Sequence, residues 1–592
     1  MRDEGYAPIG DYAVISDQRS AAMVAKDGAI DWLCAPRFDS DPLFARLLDA
    51  QRGGACELRP VDPFTVERSY DGDTNILQTT FTTPTGTLRV TDALTISPRM
   101  QRFSHLVRRA ECLSGEVEVR WAATPRVGWA CDPAQLRLAA EGAHVLACGA
   151  VEVMVQAFDL GDAVCSDGEV RGAGRLTAGD SGVLSLLITH SFPLLKLNRG
   201  HCEERLDETR TFWRSWMEPL EYDGPWVDAV RRSVLALGAC VHDQTGAMVA
   251  APTTSLPEVI GGSRNFDYRY CWVRDTSFAL DAALQLGLTQ LAQATLGWLL
   301  RSERRTHPRV NVFFDLDAEA YRPQQKMPLA GYRGSTPVLS GNDAGTQLQL
   351  GCYGDLMETA FLFVRSGSVL DDQSALHLAE VADQVCEIWR NPDAGIWELD
   401  DRRDYTHSKI GCWTALDRAA QLAESGNLRR PHADRWRATQ AQIGEWIEEH
   451  CFEDGILRRD GNGSGDLDCA LLLVPRSNVM DAADPRFNAT IDAIREELGA
   501  GGPLVYRYSG MREQENAFLP CSFWLVEALA AAHRMAEASA LMDELVQLTT
   551  DVGLLAEEMD PADHSMRGNL PLCLSHLALL NAAACVNGNA GG

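Results

Sequence analysis

Three short stretches of this chain concentrate side chains able to do acid–base chemistry. The first is PDAGIWE, Pro392 to Glu398, where a carboxylate follows a Trp in a loop that Pro392, Asp393 and Gly395 keep out of any helix. Ile396 and Trp397 give Glu398 an apolar neighbourhood that disfavours its charged form, as a general acid requires. An ordinary rim glutamate beside a Trp has the same local sequence, so Glu398 gains meaning only from its partners. The second stretch, GLLAEEMDPADHSMRGNLP, presents Glu557 and Glu558, which could equally be solvated acids at a helix end. The third, GGSRNFDYRYCWVRD, is dense in aromatic, Arg and Asp groups; its Arg274 and Asp275 also fit a surface ion pair at a helix start. Two carboxylates across an aromatic-lined cavity are what glycosidic bond cleavage needs. One protonates the departing oxygen while the other activates water or attacks the sugar.

The elements around these stretches can bring them together. After Trp226 the apolar residues recur at helical spacing, as in Val230, Val234, Leu237 and Val241 or Leu378, Val381, Val385 and Ile388. Twelve helices are expected, starting near Trp226, Arg274, Leu288, Thr346, Ala375, Ser408, His432, Leu467, Asn488, Ala517, Met535 and Ser575. Connections after the odd-numbered ones are long and rich in Gly, Pro, Asp, Arg, Tyr and Trp, and those after the even ones are mostly short. Helices alternating up and down place all the long loops at one end, and a ring of six hairpins would set a site there. Before this region the pattern is β: EVEVRW at Glu116 to Trp121, EVMVQAF at Glu152 to Phe158, and a hairpin turning at Pro84, Thr85 and Gly86 read as strands of an antiparallel sandwich. The expected division is a β-sandwich domain over 1–195, a linker helix over 196–224, and a helical catalytic domain over 225–592.

Composition narrows the function. The 592 residues exceed one compact core, and 45% hydrophobic content is enough to fill two. No apolar run approaches the ~18 residues a membrane span needs. A formal net charge of -29 argues against nucleic acid and anionic membranes as partners, while a neutral substrate remains compatible. The acidic start MRDEGYAPIGDY and seventeen scattered cysteines without a C-x-x-C pair lead us to expect a cytoplasmic protein with buried thiols. DGNGSGDLD, Asp460 to Asp468, alternates oxygen ligands around Gly465, but Leu471 stands where a calcium loop carries its last carboxylate, so it reads as a loop and no metal ligand set is assigned.

RNFDYRYCWVRDTSFAL, the GIWE loop followed by YTHSKIGCWTALDRA, ENAFLPCSFWLVEAL, and LLAEEMDP with GNLPLCLSHLAL together resemble glycoside hydrolase family 15, which holds glucoamylases, glucodextranases and bacterial trehalases. The opening IGDYAVISDQRSAAMVAKDGAIDWLCAPRFDSDPLFARLL resembles the N-terminal domain of its trehalase-like members. The resemblance implies an antiparallel β-sandwich followed by an (α/α)6 barrel. It implies Glu398 as general acid and Glu557 as general base of an inverting reaction, with the carboxyl groups ~6.5 to 9.5 Å apart to admit a water. Arg274 and Asp275 match residues holding the non-reducing-end glucose, with Trp272 and Tyr270 close by. Trp397, Tyr332, Arg333, His407, Lys409, Glu515 and Glu558 are further candidates for the pocket; His407 fits a structural role equally well. Gly351, Leu570 and Leu572 depart from the family pattern and bear on the leaving-group subsite. No cofactor is required, although some bacterial trehalases of the family respond to phosphate and magnesium.

The expected activity is therefore glucose release from trehalose or another short α-glucoside, the substrate being a small neutral sugar and homo-oligomers being allowed. The alternative is a glucoamylase-like or isomaltose-type enzyme acting on α-1,4 or α-1,6 oligosaccharides. Disaccharide phosphorolysis would not need Glu557, and an inactive sugar-binding protein would not need both carboxylates.

Overall fold

The structure, a computed structural model, describes residues 2–97, 103–140, 143–190, 192–429 and 431–588. Its first part is built on one twenty-residue strand, Ser104–Ala123. The first half of that strand pairs with Gly86–Leu94 and Ser181–His190, and the second half with Cys56–Pro60 and Glu169–Thr177, all antiparallel. Burial follows the two halves. Residues near Ser104 are nearly all covered, whereas those from Val117 alternate buried and open, as expected of a strand with one face to solvent. The expected hairpin is present as Leu77–Thr82 and Gly86–Leu94.

The remainder is helical. It comprises α1 (Arg199–Met217), α2 (Val227–Gly238), α3 (Val273–Gln285), α4 (Thr289–Glu303), α5 (Gly351–Arg365), α6 (Asp372–Ile388), α7 (Thr406–Glu424), α8 (Ala433–His450), α9 (Val474–Ser477), α10 (Pro485–Leu498), α11 (Leu519–Ala531), α12 (Met535–Val546) and α13 (Cys573–Val586). Two expected starts are displaced. Near Thr346 the chain makes only a 3-10 turn capped by Asn342, and the helix begins at Gly351. Near Leu467 a 3-10 segment, Cys469–Leu473, runs into the single turn α9, which Asn478 ends in the left-handed region.

Helix α3 packs on α5, α5 on α7, α7 on the Cys469–Ser477 segment, that segment on α11, α11 on α13, and α13 back on α3. Helices α2, α4, α8 and α12 pack against α13, α3, α7 and α11 respectively. The sequences explain which helices are which. In α11 and α13 nearly every side chain is apolar or small and buried, so neither could face water. Helix α8 buries one stripe through Trp436, Ile443 and Ile447 and leaves the rest open.

The sheet region is tied to the helical region through the loop that precedes α3. The Trp32 indole donates to the Pro252 carbonyl at 2.9 Å, and Arg269, fully buried against Asp267, donates to the Ser40 carbonyl at 2.8 Å. Tyr6 and Tyr332 exchange similar bonds, to the Gly331 and Ala7 carbonyls, and their rings meet at 5.3 Å. Among the described residues no helix is long and apolar enough to cross a membrane.

Candidate active site

Three inter-helix loops meet at the N-terminal ends of α3, α7 and α13. The loop between α6 and α7 carries Glu398, whose backbone lies in the left-handed region at φ 60°. Such a conformation costs a non-glycine residue about 1–3 kcal/mol and persists only where the surroundings enforce it. Here the Glu398 amide donates to the Gly395 carbonyl at 3.3 Å, and Gln347 Nε2 donates to the Glu398 carbonyl at 3.0 Å. The Trp272 indole N–H donates to Glu398 Oε1 at 2.6 Å, which leaves the second oxygen open. Burial lifts the Glu398 pKa, opposed by the Arg274 charge and the Trp272 hydrogen bond. Arg274 Nη1 stands 3.9 Å from Glu398 Oε1; its Nε donates to Asp275 and its Nη1 also to the Ile396 carbonyl.

Glu557 comes from the loop between α12 and α13 and is 2% exposed. The Tyr268 hydroxyl donates to Glu557 Oε1 at 2.7 Å. Burial and then the neighbouring Glu258 charge push Glu557 up to about 7, against the pull of Arg507, Tyr268 and the Asn569 amide. The Tyr268 phenol is held protonated by burial and by the charges of Glu557, Glu258 and Glu398, so it stays a donor. Its ring meets the Trp272 ring edge-on at 5.5 Å. One aromatic pair from a single loop thus carries a carboxylate at each end. Gly568 is forced by the same geometry: its φ is 72°, and a Cβ there would lie 2.5 Å from Glu557 Oε2.

Trp397 is oriented by Asp468, whose two oxygens accept its indole N–H at 2.9 and 3.0 Å. Behind Glu557, Arg507 is buried among Glu515, Glu258 and Glu558 at 2.7, 3.0 and 3.4 Å, and Arg264 reaches Glu258 and Glu515. Glu258, Glu515 and Glu558 are close enough to share a cation, as are Asp39, Asp315 and Asp317, and in both groups arginines already offset the acids.

The structure therefore brings Glu398, Glu557, Trp272, Arg274, Asp275 and Trp397 together, with Glu515 and Glu558 one layer behind on Arg507. Five expected pocket residues are placed elsewhere. Tyr270 is 4% exposed, stacked on Phe313, with its hydroxyl accepting the Gly341 amide; it borders a separate cleft of about 350 Å³ beside Arg37 and Asp39. Tyr332 and Arg333 face the sheet region, bonding Ala7 and Asp3, because their 3-10 turn docks on the N-terminal segment. Lys409 is buried and donates to the Trp389 and Asn391 carbonyls, pinning the end of α6. His407 is held neutral by burial, its pKa lowered to about 4, and lines an interior cavity on the far side of Arg274. Leu570 and Leu572 are buried, at 0% and 3% exposure, and Gly351 faces the His407 ring.

Sequence reasoning missed Tyr268, Arg507, Asp468 and Glu258. Tyr268 stands two residues before Tyr270 in the same aromatic stretch, and only the fold separates them. Asp468 was visible solely as an oxygen ligand in a glycine-rich run. Arg507, in VYRY, and Glu258, in LPEVIGG, have no local signal.

Residues 224–584 match the family described as glycosyl hydrolases family 15, and residues 2–177 match the trehalase-like N-terminal family. A trehalase of Mycolicibacterium smegmatis is 32% identical over 98% of this chain and 91% of its own, and one of Thermoplasma volcanium is 30% identical over 98% and 94%. A bacterial glucoamylase solved with acarbose shares the fold, with a TM-score of 0.71 over 98% of this chain and 95% of that one at 12% identity. An N-terminal antiparallel sheet domain followed by a helical region is common to both. With a family match across most of the helical region and relatives aligned end to end, the chain belongs to glycosyl hydrolases family 15 and is a glycoside hydrolase.

Proposed function

We propose that this glycoside hydrolase inverts the anomeric centre and releases glucose from trehalose. The observation that carries the reading is the Tyr268–Trp272 pair, which donates to one oxygen of Glu557 and to one of Glu398. Glu398 is the general acid: burial beside Trp397 favours its protonated form, and the open oxygen carries the proton to the leaving sugar. Glu557 is the general base, drawing a proton from a water that attacks the opposite face of the ring. Arg274 and Asp275 hold the glucose that is released, and Trp397 stacks on it. In the active form Glu398 carries its proton and Glu557 is ionised.

The full-length similarity to trehalases supports trehalose over α-1,4 or α-1,6 oligosaccharides. We read the sheet region, residues 1–195, as a β-sandwich domain, 196–224 as the linker helix, and 225–592 as an (α/α)6 barrel; the return of α13 to α3 supports the last. Hydrolysis by this pair needs no cofactor, a dependence on phosphate or magnesium being an additional property to measure. Seventeen free cysteines suit the reducing cytoplasm.

A proton NMR time course with trehalose, maltose and isomaltose, with and without phosphate, tests the proposal. Trehalose should be cleaved fastest, giving one α- and one β-glucose. Faster cleavage of maltose or isomaltose would reassign the substrate, and glucose 1-phosphate formed only with phosphate would overturn hydrolysis. Glu398→Gln and Glu557→Gln should each lower kcat at least ~100-fold with substrate binding retained, and a near-normal rate in either removes its role.

A further inference from the structure

A large cavity lies away from the carboxylate pair. It measures about 1150 Å³ and is walled by α3, α5, α7, α9, α11 and α13. Its far wall includes Ile396 and His407, and its mouth lies by Glu221, Asp223, Arg365 and Gln421, where α3, α5, α7 and α11 end. Arg274, donating to the Ile396 carbonyl, separates it from Glu398.

Its polar groups are unevenly matched. Asp281 and Glu527 both bind Arg476, at 3.0 and 2.6 Å, and Glu358 binds Arg418. The Asp355 carboxylate, on α5, has no hydrogen-bond or ion-pair partner among the described residues, the residue's only side-chain hydrogen bond being the Thr359 hydroxyl donating to its backbone carbonyl at 2.6 Å, and Asp355 borders the cavity. Asn581 on α13 is 1% exposed, borders the same space, and has neither its amide nitrogen nor its oxygen partnered. A buried amide left without partners is destabilising unless something in the cavity answers it.

The occupant can be narrowed by charge and by the walls. Acids outnumber arginines along the lining, and several helix C-termini, with their negative dipole ends, converge on the mouth. Anions are excluded on both counts. Sugars stack on open aromatic faces, but the Phe278 and Phe361 rings are already covered by the Arg476 and Arg418 guanidinium groups, at 4.5 and 4.9 Å. Leu284, Ile410, Leu473 and Val474 give the space an apolar side suited to methylene groups.

We propose that this cavity is a second binding site, for a small organic amine whose ammonium group pairs with Asp355 and whose polar end is met by Asn581. Burial, with the Asp275 and Glu358 charges, lifts Asp355 up to about 7 against the pull of Arg274 and Arg476, so an amine arriving near that pH displaces a proton.

Isothermal titration of the full chain with 1,4-diaminobutane tests this, alongside Asp355→Asn and, to narrow the space, Ala531→Phe, each checked by circular dichroism. The expected result is saturable one-site binding to the wild type, with a heat at pH 7 that varies with the buffer's ionisation enthalpy, and at least ~tenfold weaker binding in both variants. Absence of saturable binding to the wild type would overturn the proposal. Equal binding in both folded variants would do so too, because it places the diamine on the acidic outer surface. Binding of glucose or inorganic phosphate that Asp355→Asn abolishes would overturn the ligand class. The wild-type buffer dependence keeps the test decisive if a variant fails to fold.

Discussion

At the scale of single residues, the proposed site gives two similar carboxylates different neighbours. Glu398 has an indole donor and a guanidinium 3.9 Å away; Glu557 has a phenol donor and other carboxylates nearby. Because the Tyr268 hydrogen bond favours the charged form of Glu557, its removal must raise that pKa. In Tyr268→Phe, Glu557, the proposed base, is therefore protonated over a wider range, and the acidic limb of kcat/KM moves to higher pH while kcat falls about 10–100-fold. A pH–rate profile of the variant against wild type measures this, and an unmoved acidic limb would sever Tyr268 from the base.

Elements matter because the loops hold their residues by backbone geometry. Gly568 is the clearest case: the Glu558–Met559 and Met566–Arg567 strands turn back on each other and bring it onto the Glu557 side chain. In Gly568→Ala the new methyl meets Glu557 Oε2 at 2.5 Å, in a backbone conformation that disfavours any side chain. The base must shift, so we expect kcat to drop by at least ~tenfold, with far-UV circular dichroism retained. Normal turnover in a folded Gly568→Ala protein would mean that Glu557 need not stand where the structure puts it.

Across the whole molecule, the sheet region braces the active-site loop. Arg269 is buried with Asp267 and bonds the Ser40 carbonyl, and it lies three residues before Trp272. Replacing it with Met strands the Asp267 charge in the interior, which costs about 3–5 kcal/mol. Arg269→Met should lower the urea midpoint and, by loosening Tyr268 and Trp272, reduce kcat more than it raises KM. Unchanged urea unfolding would show that the two regions are coupled by other contacts.

What the sequence determined by itself was whatever rests on local chemistry and periodicity. The antiparallel strands, most helix starts, and the turn-rich loops that carry Glu398 and Glu557 follow from spacing, turn residues and composition. The tertiary structure decided which side chain of a stretch faces the site. Tyr268, Tyr270 and Trp272 share one aromatic run, yet packing against Phe313 and Gly341 removes Tyr270 and leaves Tyr268 on the base. It also decided long-range partnerships such as Arg507 with Glu258, and Tyr332 with the N-terminal segment. Nothing local marks such pairs, because a buried charge finds its partner by three-dimensional proximity and leaves no spacing rule in the chain.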